Sequence, residues 1–321
     1  MRTLFAVVAL AGACIGAALA GEAKTAGQKY PAFEVGMLND AALEEMPSGV
    51  LAKVNDKKIT KKYLEAKIAE APAEEKEMFE QTRPFLLAQL VQREALLAVA
   101  RREGFVKEGA DETAENSAIQ AMVKKRVEGV KVTDEELRKL YEKHKGELGG
   151  ASFDESKEML REYLTNQKQQ EILTGFLKEV SRDTKVSVNE KWAAEQNAML
   201  TDNPLDKGRQ SGKITMVEFG ADWCAPCKQL APIIKEVEKE QKDVNVVVIN
   251  VDKNRELSLR YAVRNLPTLV YFSADGKEVY RQEGLTTKKD IVSKLESIRK
   301  GKAAGEAAPD DEVHKLAPFE E

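Results

Sequence analysis

Residues 214–228 read ITMVEFGADWCAPCK, in which an apolar run and two small residues lead to a C-x-x-C pair. The apolar run predicts a β-strand over 214–219, and the pattern after it predicts a helix whose N-terminus lies at Cys224. Unpaired N–H groups and the positive end of the helix dipole favour a negative charge there. Because the thiolate is the form of cysteine that attacks disulfides, Cys224 and Cys227 are predicted to form a redox-active pair.

A C-x-x-C pair can also be half of a zinc site, which needs four Cys or His ligands. The other Cys and His residues of the chain are Cys14, His144 and His314, all distant in sequence, so a zinc site would need ligands from a second chain. A purely structural disulfide is a further alternative, although closing so short a loop removes little chain entropy. The strand-to-helix context favours the redox interpretation. No metal or organic cofactor is expected.

Beyond the C-x-x-C pair, several landmarks follow in order along the chain. They are Trp223 to Lys228 around the cysteines, Pro232 inside the predicted helix, Leu266-Pro267-Thr268 before an apolar strand, and an Asp275-Gly276 turn before a second strand and a final amphipathic helix. This series resembles the thioredoxin family over about residues 204–299. The resemblance implies an α/β thioredoxin fold for this domain, with a central mixed sheet flanked by helices.

The same resemblance implies roles for individual residues. Cys224 would attack and form a mixed disulfide, and Cys227 would resolve it and leave both sulfurs oxidised. Pro267 would lie in a cis-proline loop against the cysteines and present backbone to an extended substrate segment. The residues implied to contact substrate are Trp223, Ala225, Pro226, Leu266 and Pro267.

Two positions depart from the thioredoxin pattern. Glu218 stands where the family has a buried Asp, and Val248 stands where many members have a nearby Lys. A buried carboxyl without a cationic neighbour is desolvated, so its pKa should rise and suit it to take the proton from Cys227. The alternative is that Glu218 ends its strand pointing into water. Glu218 is therefore a predicted catalytic residue, together with Cys224 and Cys227.

The first residues predict export. Arg2 precedes an apolar stretch over 4–19, which ends in Ala18-Leu19-Ala20. A short basic start, a short apolar core and an A-x-A ending are typical of a secretory signal peptide, so residues 1–20 are expected to be cleaved. The stretch is too short and too rich in Ala and Gly to predict a membrane span. Lipid attachment at Cys14 is an alternative, although no large aliphatic residue begins that motif. The predicted location is the periplasm.

Composition limits the classes of function. Of 321 residues, 32% are charged, the net charge is −4, and no basic block is present that would follow a phosphate backbone. No Ser-His-Asp set and no glycine-rich phosphate loop can be recognised. The length predicts two domains.

The first of these, residues 49–188, is predicted to be mainly helical with two strands. Thr60 is a predicted helix N-cap, Pro84 suits the first turn of another helix, and capping boxes begin at Thr133 and Ser152. Residues 184–188 predict a short returning strand.

This layout resembles the non-catalytic N-terminal domain of SurA-type periplasmic chaperones and secreted parvulin-like prolyl isomerases. The matching segments are Ala52 to Asp56, Leu90 to Glu94, Val132 to Glu136 and Phe153 to Val188. In those relatives a parvulin domain lies between the last two segments, whereas here only residues 144–152 fill that position, too few for a catalytic domain. Prolyl isomerase activity is therefore not expected, and His144 is predicted to be a solvated helix cap. The apolar stripes of the domain could bind unfolded clients or only fill its own core.

Three further segments complete the predicted organisation. Residues 21–48 are expected to be flexible, residues 189–203 to form a linker with a short helix, and residues 300–321 to form a disordered acidic tail.

The sequence thus predicts an exported thiol–disulfide oxidoreductase, a reductase or isomerase in view of Ala225-Pro226. Its partners would be disulfide-containing or unfolded protein clients and a membrane thiol electron donor, with no nucleic acid. The alternative is a non-catalytic periplasmic chaperone that uses the thioredoxin domain for docking.

Overall fold

The computed structural model describes residues 24–301, so the predicted signal peptide and nearly all of the predicted tail lie outside the described residues. The helices are α1 (Ala26–Lys29), α2 (Lys61–Glu70), α3 (Ala73–Gln81), α4 (Arg83–Arg102), α5 (Glu112–Val127), α6 (Asp134–His144), α7 (Phe153–Asp183), α8 (Glu190–Leu200), α9 (Pro204–Arg209), α10 (Ala225–Glu240), α11 (Arg255–Arg260) and α12 (Lys288–Arg299). The strands are β1 (Ala42–Glu44), β2 (Val50–Val54), β3 (Lys57–Thr60), β4 (Val186–Asn189), β5 (Ile214–Gly220), β6 (Val244–Asn250), β7 (Thr268–Phe272) and β8 (Glu278–Glu283).

The described residues form two compact units. The discontinuous unit contains residues 24–91 and 186–301, and the helical unit contains residues 92–185. This division differs from the predicted boundaries, because residues 49–91 cluster with the C-terminal half of the chain rather than with the helices that follow them.

A four-stranded mixed sheet in the order β6-β5-β7-β8 organises the C-terminal part of the discontinuous unit. β5 is parallel to β6 and antiparallel to β7, which forms a hairpin with β8. Apolar residues of α10 and α12 cover one face of the sheet: Leu230, Ile234, Val237, Ile291 and Leu295. The other face packs against α9 and α11 through Leu205, Val217, Phe219, Leu257 and Phe272. This arrangement is the predicted α/β fold with helices on both faces of the sheet.

The segment predicted to be flexible is instead part of the core of the discontinuous unit. Two 3-10 helices (Pro31–Phe33 and Gly36–Leu38) follow α1, and the backbone N–H of Ala26 donates to the carbonyl oxygen of Ala41 at 2.8 Å. Phe33 is fully buried and meets the ring of Trp192 edge-on, with centroids 5.7 Å apart. β1 then pairs with β4 in a second sheet of order β1-β4-β2-β3. The expectation was wrong because these apolar residues find partners far away in sequence.

Arg209, at the end of α9, ties this N-terminal segment to the rest of the discontinuous unit. Its Nε donates to the carbonyl oxygen of Gly276 at 2.9 Å, and its Nη1 donates to the hydroxyl of Tyr261 at 2.7 Å. Both Nη atoms also donate to the carboxylate of Glu34, at 2.9 and 3.0 Å. Beside it, Asp206 is completely buried and accepts a hydrogen bond from Arg260. The buried charges are therefore paired, as low-dielectric surroundings require.

In the helical unit, α6 and α7 begin at the residues that the sequence predicts. Thr133 caps α6 and Ser152 caps α7, each in a complete capping box with the Glu three residues later. His144 lies at the end of α6 as predicted, but the prediction of a solvated side chain was wrong. Only 6% of His144 is exposed, and its Nδ1 lies 3.4 Å from Glu147 Oε2.

No helix within residues 24–301 combines the length and apolar character needed to cross a membrane.

Candidate active site

The two cysteines lie where β5 gives way to α10. Cys224 is the N-cap of α10, and its Sγ accepts a hydrogen bond from the backbone N–H of Cys227 at 3.2 Å. Pro226 occupies the first turn of α10. Backbone N–H groups in a first turn have no acceptor within the helix, so the missing N–H of proline costs no helical hydrogen bond there. An N-cap sulfur that receives an N–H at the positive end of a helix is favoured in its anionic form.

The sulfur atoms of Cys224 and Cys227 are bonded to each other at 2.18 Å, so the structure describes the oxidised pair. Both residues are largely covered, with exposed fractions of 4% and 6%. They pack against Ala221, Val251 and Leu266. A client sulfur therefore has only a small window through which to reach the disulfide.

Glu218 lies on β5 beneath this pair rather than at the surface. Its exposed fraction is 5%, and burial raises the pKa of its carboxyl from 4.5 to about 7. In the parallel register its neighbour on β6 is Val248, which supplies no positive charge. An acid that titrates near neutral pH is well matched to accepting and returning a proton.

Gly220 is a feature of the site that sequence reasoning missed. A Cβ added at this position would lie 2.5 Å from Glu218 Oε1 and 3.4 Å from the Cβ of Cys227. The first distance is shorter than real Cβ contacts, so the absence of a side chain at 220 is what lets the Glu218 carboxyl extend toward Cys227. The available signal was a glycine directly after an apolar strand, which often marks a close approach of another group.

The buried carboxyl of Glu218 makes the stability of the protein depend on pH. Between pH 4.5 and about 7 the folded chain holds the Glu218 proton that the unfolded chain has lost, so the free energy of unfolding falls as pH rises. Above pH 7 this change in pKa corresponds to a cost of about 3 kcal/mol for the ionised carboxyl, which partial solvent screening reduces to about 2 kcal/mol. We expect Glu218→Gln to raise the free energy of unfolding by about that amount at pH 8.5 and to change it little at pH 4.

Urea titrations of the oxidised protein at the two pH values measure this difference. Glu238→Gln, at an exposed carboxyl on α10, is the matched control and should show no such pH dependence. Equal effects of Glu218→Gln at both pH values would show that the carboxyl titrates normally in the folded chain.

The peptide bond between Leu266 and Pro267 is cis, in the loop that leads into β7. Leu266 packs against the cysteine pair, and the carbonyl oxygen of Pro267 accepts the N–H of Gly284 at 2.8 Å. The structure thus brings this predicted loop to the cysteines.

Trp223 is one of the exposed residues among the predicted contact residues, with an exposed fraction of 68%. Its Nε1 donates to Asp252 Oδ2 at 3.0 Å, which fixes the ring beside the cysteines. Ala225 and Pro226 are also exposed. Trp223 and the exposed first turn of α10 adjoin Cys224 along the chain, and Leu266 packs against the cysteine pair; these residues form the border of the site.

Within residues 24–301, His, Cys, Asp and Glu side chains form no group of three or more that could hold a metal ion.

Comparison with known proteins points to one family. The thioredoxin family model matches residues 198–297. Thioredoxin from Mycoplasmoides gallisepticum is 37% identical over 91 residues, which are 28% of this chain and 90% of that protein. Thioredoxin from Acidithiobacillus ferridurans is 38% identical over 89 residues, 27% of this chain and 82% of that protein. The structure of a mutant thioredoxin from Halobacterium salinarum NRC-1 has 38% identity, covers 29% of this chain and 81% of that one, and has a TM-score of 0.28. Through residues 198–297, the chain belongs to the thioredoxin family.

Proposed function

We propose that this protein is a thiol–disulfide oxidoreductase that exchanges disulfides with protein clients. The observation that carries the proposal is the bonded Cys224–Cys227 pair at the N-terminus of α10, with the buried Glu218 carboxyl below it. Family membership supports the reaction class, and the geometry supports the role of each group.

In the reduced form, the Cys224 thiolate attacks one sulfur of a client disulfide. A new bond forms between Cys224 Sγ and that sulfur, the client disulfide breaks, and the other client sulfur leaves as a thiolate. The N–H of Cys227, 3.2 Å from Cys224 Sγ in the oxidised pair, helps to hold the attacking thiolate.

Cys227 then attacks Cys224 Sγ, which closes the internal disulfide and releases the second client sulfur as a thiolate. Two electrons have passed from the cysteine pair to the client. The Cys227 thiol must lose its proton before it attacks, and the Glu218 carboxylate accepts it. With a pKa of about 7, Glu218 is ionised often enough to accept this proton and protonated often enough to return it.

The border around Cys224 would hold the client segment. Trp223, Ala225 and Pro226 offer exposed surface, and the half-buried Leu266 packs against the cysteine pair next to the buried Pro267. An extended segment of client backbone fits such a border, and the small exposed area of the sulfurs favours clients whose disulfides lie in open segments.

We infer that the protein works outside the cytoplasm after removal of residues 1–20. A disulfide reductase or isomerase in an oxidising compartment must be kept reduced, and a membrane thiol donor is the partner that would supply the electrons. Recovery of the chain from the extracytoplasmic fraction with Gly21 as its first residue supports this location. An intact chain in the cytoplasm contradicts it.

The redox potential of the Cys224–Cys227 pair, measured by equilibration of the full chain in graded thiol buffers, tests the function and its direction. Thioredoxin itself has a potential of about −270 mV, and we expect a value toward that end for a reductase. The full chain should also reduce a disulfide-bonded protein in the presence of dithiothreitol.

In that turnover assay, the chain with both Cys224→Ser and Cys227→Ser is the matched control and should be inactive. Turnover that survives the double substitution would contradict the proposal and favour a chaperone whose thioredoxin domain only docks clients. A potential at the oxidising end, with turnover intact, would instead assign an oxidase.

A further inference from the structure

The loop that brings Leu266 to the cysteine pair (residues 265–268) is closed by a hydrogen bond at its base. Asn265 and Thr268 are the two ends of this loop, with Leu266 and Pro267 between them. The hydroxyl of Thr268 donates to the carbonyl oxygen of Asn265 at 2.6 Å. Thr268 is completely buried at the start of β7 and lies opposite Phe219 of β5. The closure therefore ties Asn265 to the centre of the sheet.

The end of β8 holds the same loop from a second direction. Gly284 has φ of +83°, a conformation that glycine adopts readily, and its N–H donates to the carbonyl oxygen of Pro267 at 2.8 Å. Glu283, the residue before it, lies opposite Thr268 in the register of β7 and β8. The Nδ2 of Asn265 donates to Oε2 of Glu283. The loop thus has two attachments to neighbouring residues at the end of β8.

The contact between Asn265 and Glu283 is not a product of core packing, because both side chains are exposed. A hydrogen bond to an ionised carboxylate is stronger than one between neutral groups. The other exposed carboxylate of β8, Glu278, bonds instead to Arg281 of its own strand, at 2.9 Å from both Nε and Nη2. Of these two carboxylates, only Glu283 reaches the loop beside the cysteines.

We propose that Asn265 and Glu283 are positioning residues that hold the loop of residues 265–268 ready for protein clients, a role that rests on the proposed oxidoreductase function. A loop already held in its bound conformation does not have to be ordered when the client binds, so its affinity for the client is higher. Without the contact, the client itself must order the loop.

The effect should fall on client binding rather than on the exchange of sulfurs. The side chains of Asn265 and Glu283 bond to each other and not to the sulfurs or to the carboxyl of Glu218. Loss of their contact should therefore raise KM for a protein client and leave kcat nearly unchanged. A small disulfide that reaches the sulfurs without covering the loop should be almost insensitive to the same change.

Reduction of insulin by the full chain, with dithiothreitol as the source of electrons, measures the effect on a protein client. We expect Glu283→Ala and Asn265→Ala each to raise KM about fivefold, with kcat within about twofold. The double variant should match either single variant, because all three lack the same contact. Glu283→Gln keeps an oxygen that can accept from Asn265, so its KM should stay close to that of the unsubstituted chain.

Two controls separate client binding from general damage. Glu278→Ala removes an exposed carboxylate from the same strand and should leave KM unchanged. Oxidation of the reduced chain by 2-hydroxyethyl disulfide measures exchange with a small disulfide. We expect its rate to change by less than about twofold in Glu283→Ala and Asn265→Ala.

Hydrogen exchange of the Gly284 amide reports the state of the loop without any turnover. Its N–H is donated to Pro267, so its protection in the oxidised chain measures how firmly the loop is held against β8. We expect its protection factor to fall about tenfold in Glu283→Ala and in Asn265→Ala. Glu283→Gln and Glu278→Ala should retain the original protection.

The proposal is overturned if KM for insulin stays within twofold in both single variants, or if the effects of the two substitutions multiply in the double variant. A fall in Gly284 protection without a rise in KM would also overturn it, since the loop would then not govern client binding. Absence of turnover in the unsubstituted chain would contradict the proposed function and with it the effect on KM. The Gly284 protection factors would still decide whether the pair holds the loop.

Discussion

We expect Cys227→Ser to accumulate a mixed disulfide between Cys224 and a client protein, and Cys224→Ser to form none. Cys224 is the N-cap of α10 and its sulfur receives the N–H of Cys227, so it is the group prepared to attack. Cys227 lies one turn inside the helix and is bonded to Cys224 in the oxidised pair, so it is the group placed to resolve the mixed disulfide. Turnover should fall by at least about a thousandfold in both variants, because each lacks one of the two exchange steps.

Non-reducing electrophoresis after rapid acid quenching shows the trapped complex, and mass spectrometry identifies its sulfur. The matched control is Ser293→Cys, at an exposed position on α12, in the chain that lacks both active-site cysteines. It measures whether any added thiol traps clients nonspecifically. A complex that forms through Cys227 in the Cys224→Ser chain would reverse the assignment of the two roles.

The second large effect is expected at Arg209, a residue outside the active site. Its guanidinium is buried and donates to Glu34, Tyr261 and the carbonyl of Gly276. Arg209→Met keeps much of the apolar contact with the ring of Phe272 but removes the donor to Glu34 and to the carbonyl of Gly276, while Tyr261 keeps the hydrogen bond from Arg260. We expect the free energy of unfolding to fall by about 3 kcal/mol, within the range for breaking a buried ion pair.

Urea denaturation of the full chain measures this loss. Arg299→Met, which removes a pair with Asp243 at the surface, is the matched control and should cost no more than about 1 kcal/mol. If the free energy of unfolding fell equally in the two variants, the Glu34–Arg209 contact would not be what holds the N-terminal segment to the rest of the discontinuous unit. Limited proteolysis between residues 24 and 44 should accelerate in Arg209→Met alone.

Local signals in the sequence predicted the secondary structure near them. The capping boxes at Thr133 and Ser152 need only residues three positions apart, and the structure contains both. The helix start at Cys224 likewise follows from a short motif, and the resemblance to the thioredoxin family implied the cis bond before Pro267. Burial of Glu218 was predictable because it lies inside an apolar strand.

Contacts between distant residues could not be predicted in the same way. Nothing near Glu34 indicates that its partner is Arg209, 175 positions later. Asp206 is fully buried and paired with Arg260, 54 positions later, and no residue near either one in the sequence indicates this pair. The role of Gly220 also depends on where the Glu218 carboxyl ends, which the sequence does not specify.

The discontinuous unit has a consequence for the order in which the chain acquires structure during synthesis. Residues 24–91 reach the ribosome exit first, yet β1 pairs with β4, and Glu34 needs Arg209. The helical unit of residues 92–185 is contiguous and can fold as soon as it emerges. The N-terminal segment must therefore wait, with Phe33 and Leu38 uncovered, until the C-terminal half is complete. Because its contacts join residues far apart in sequence, the discontinuous unit should fold more slowly than the helical unit. It should also depend more on chaperones.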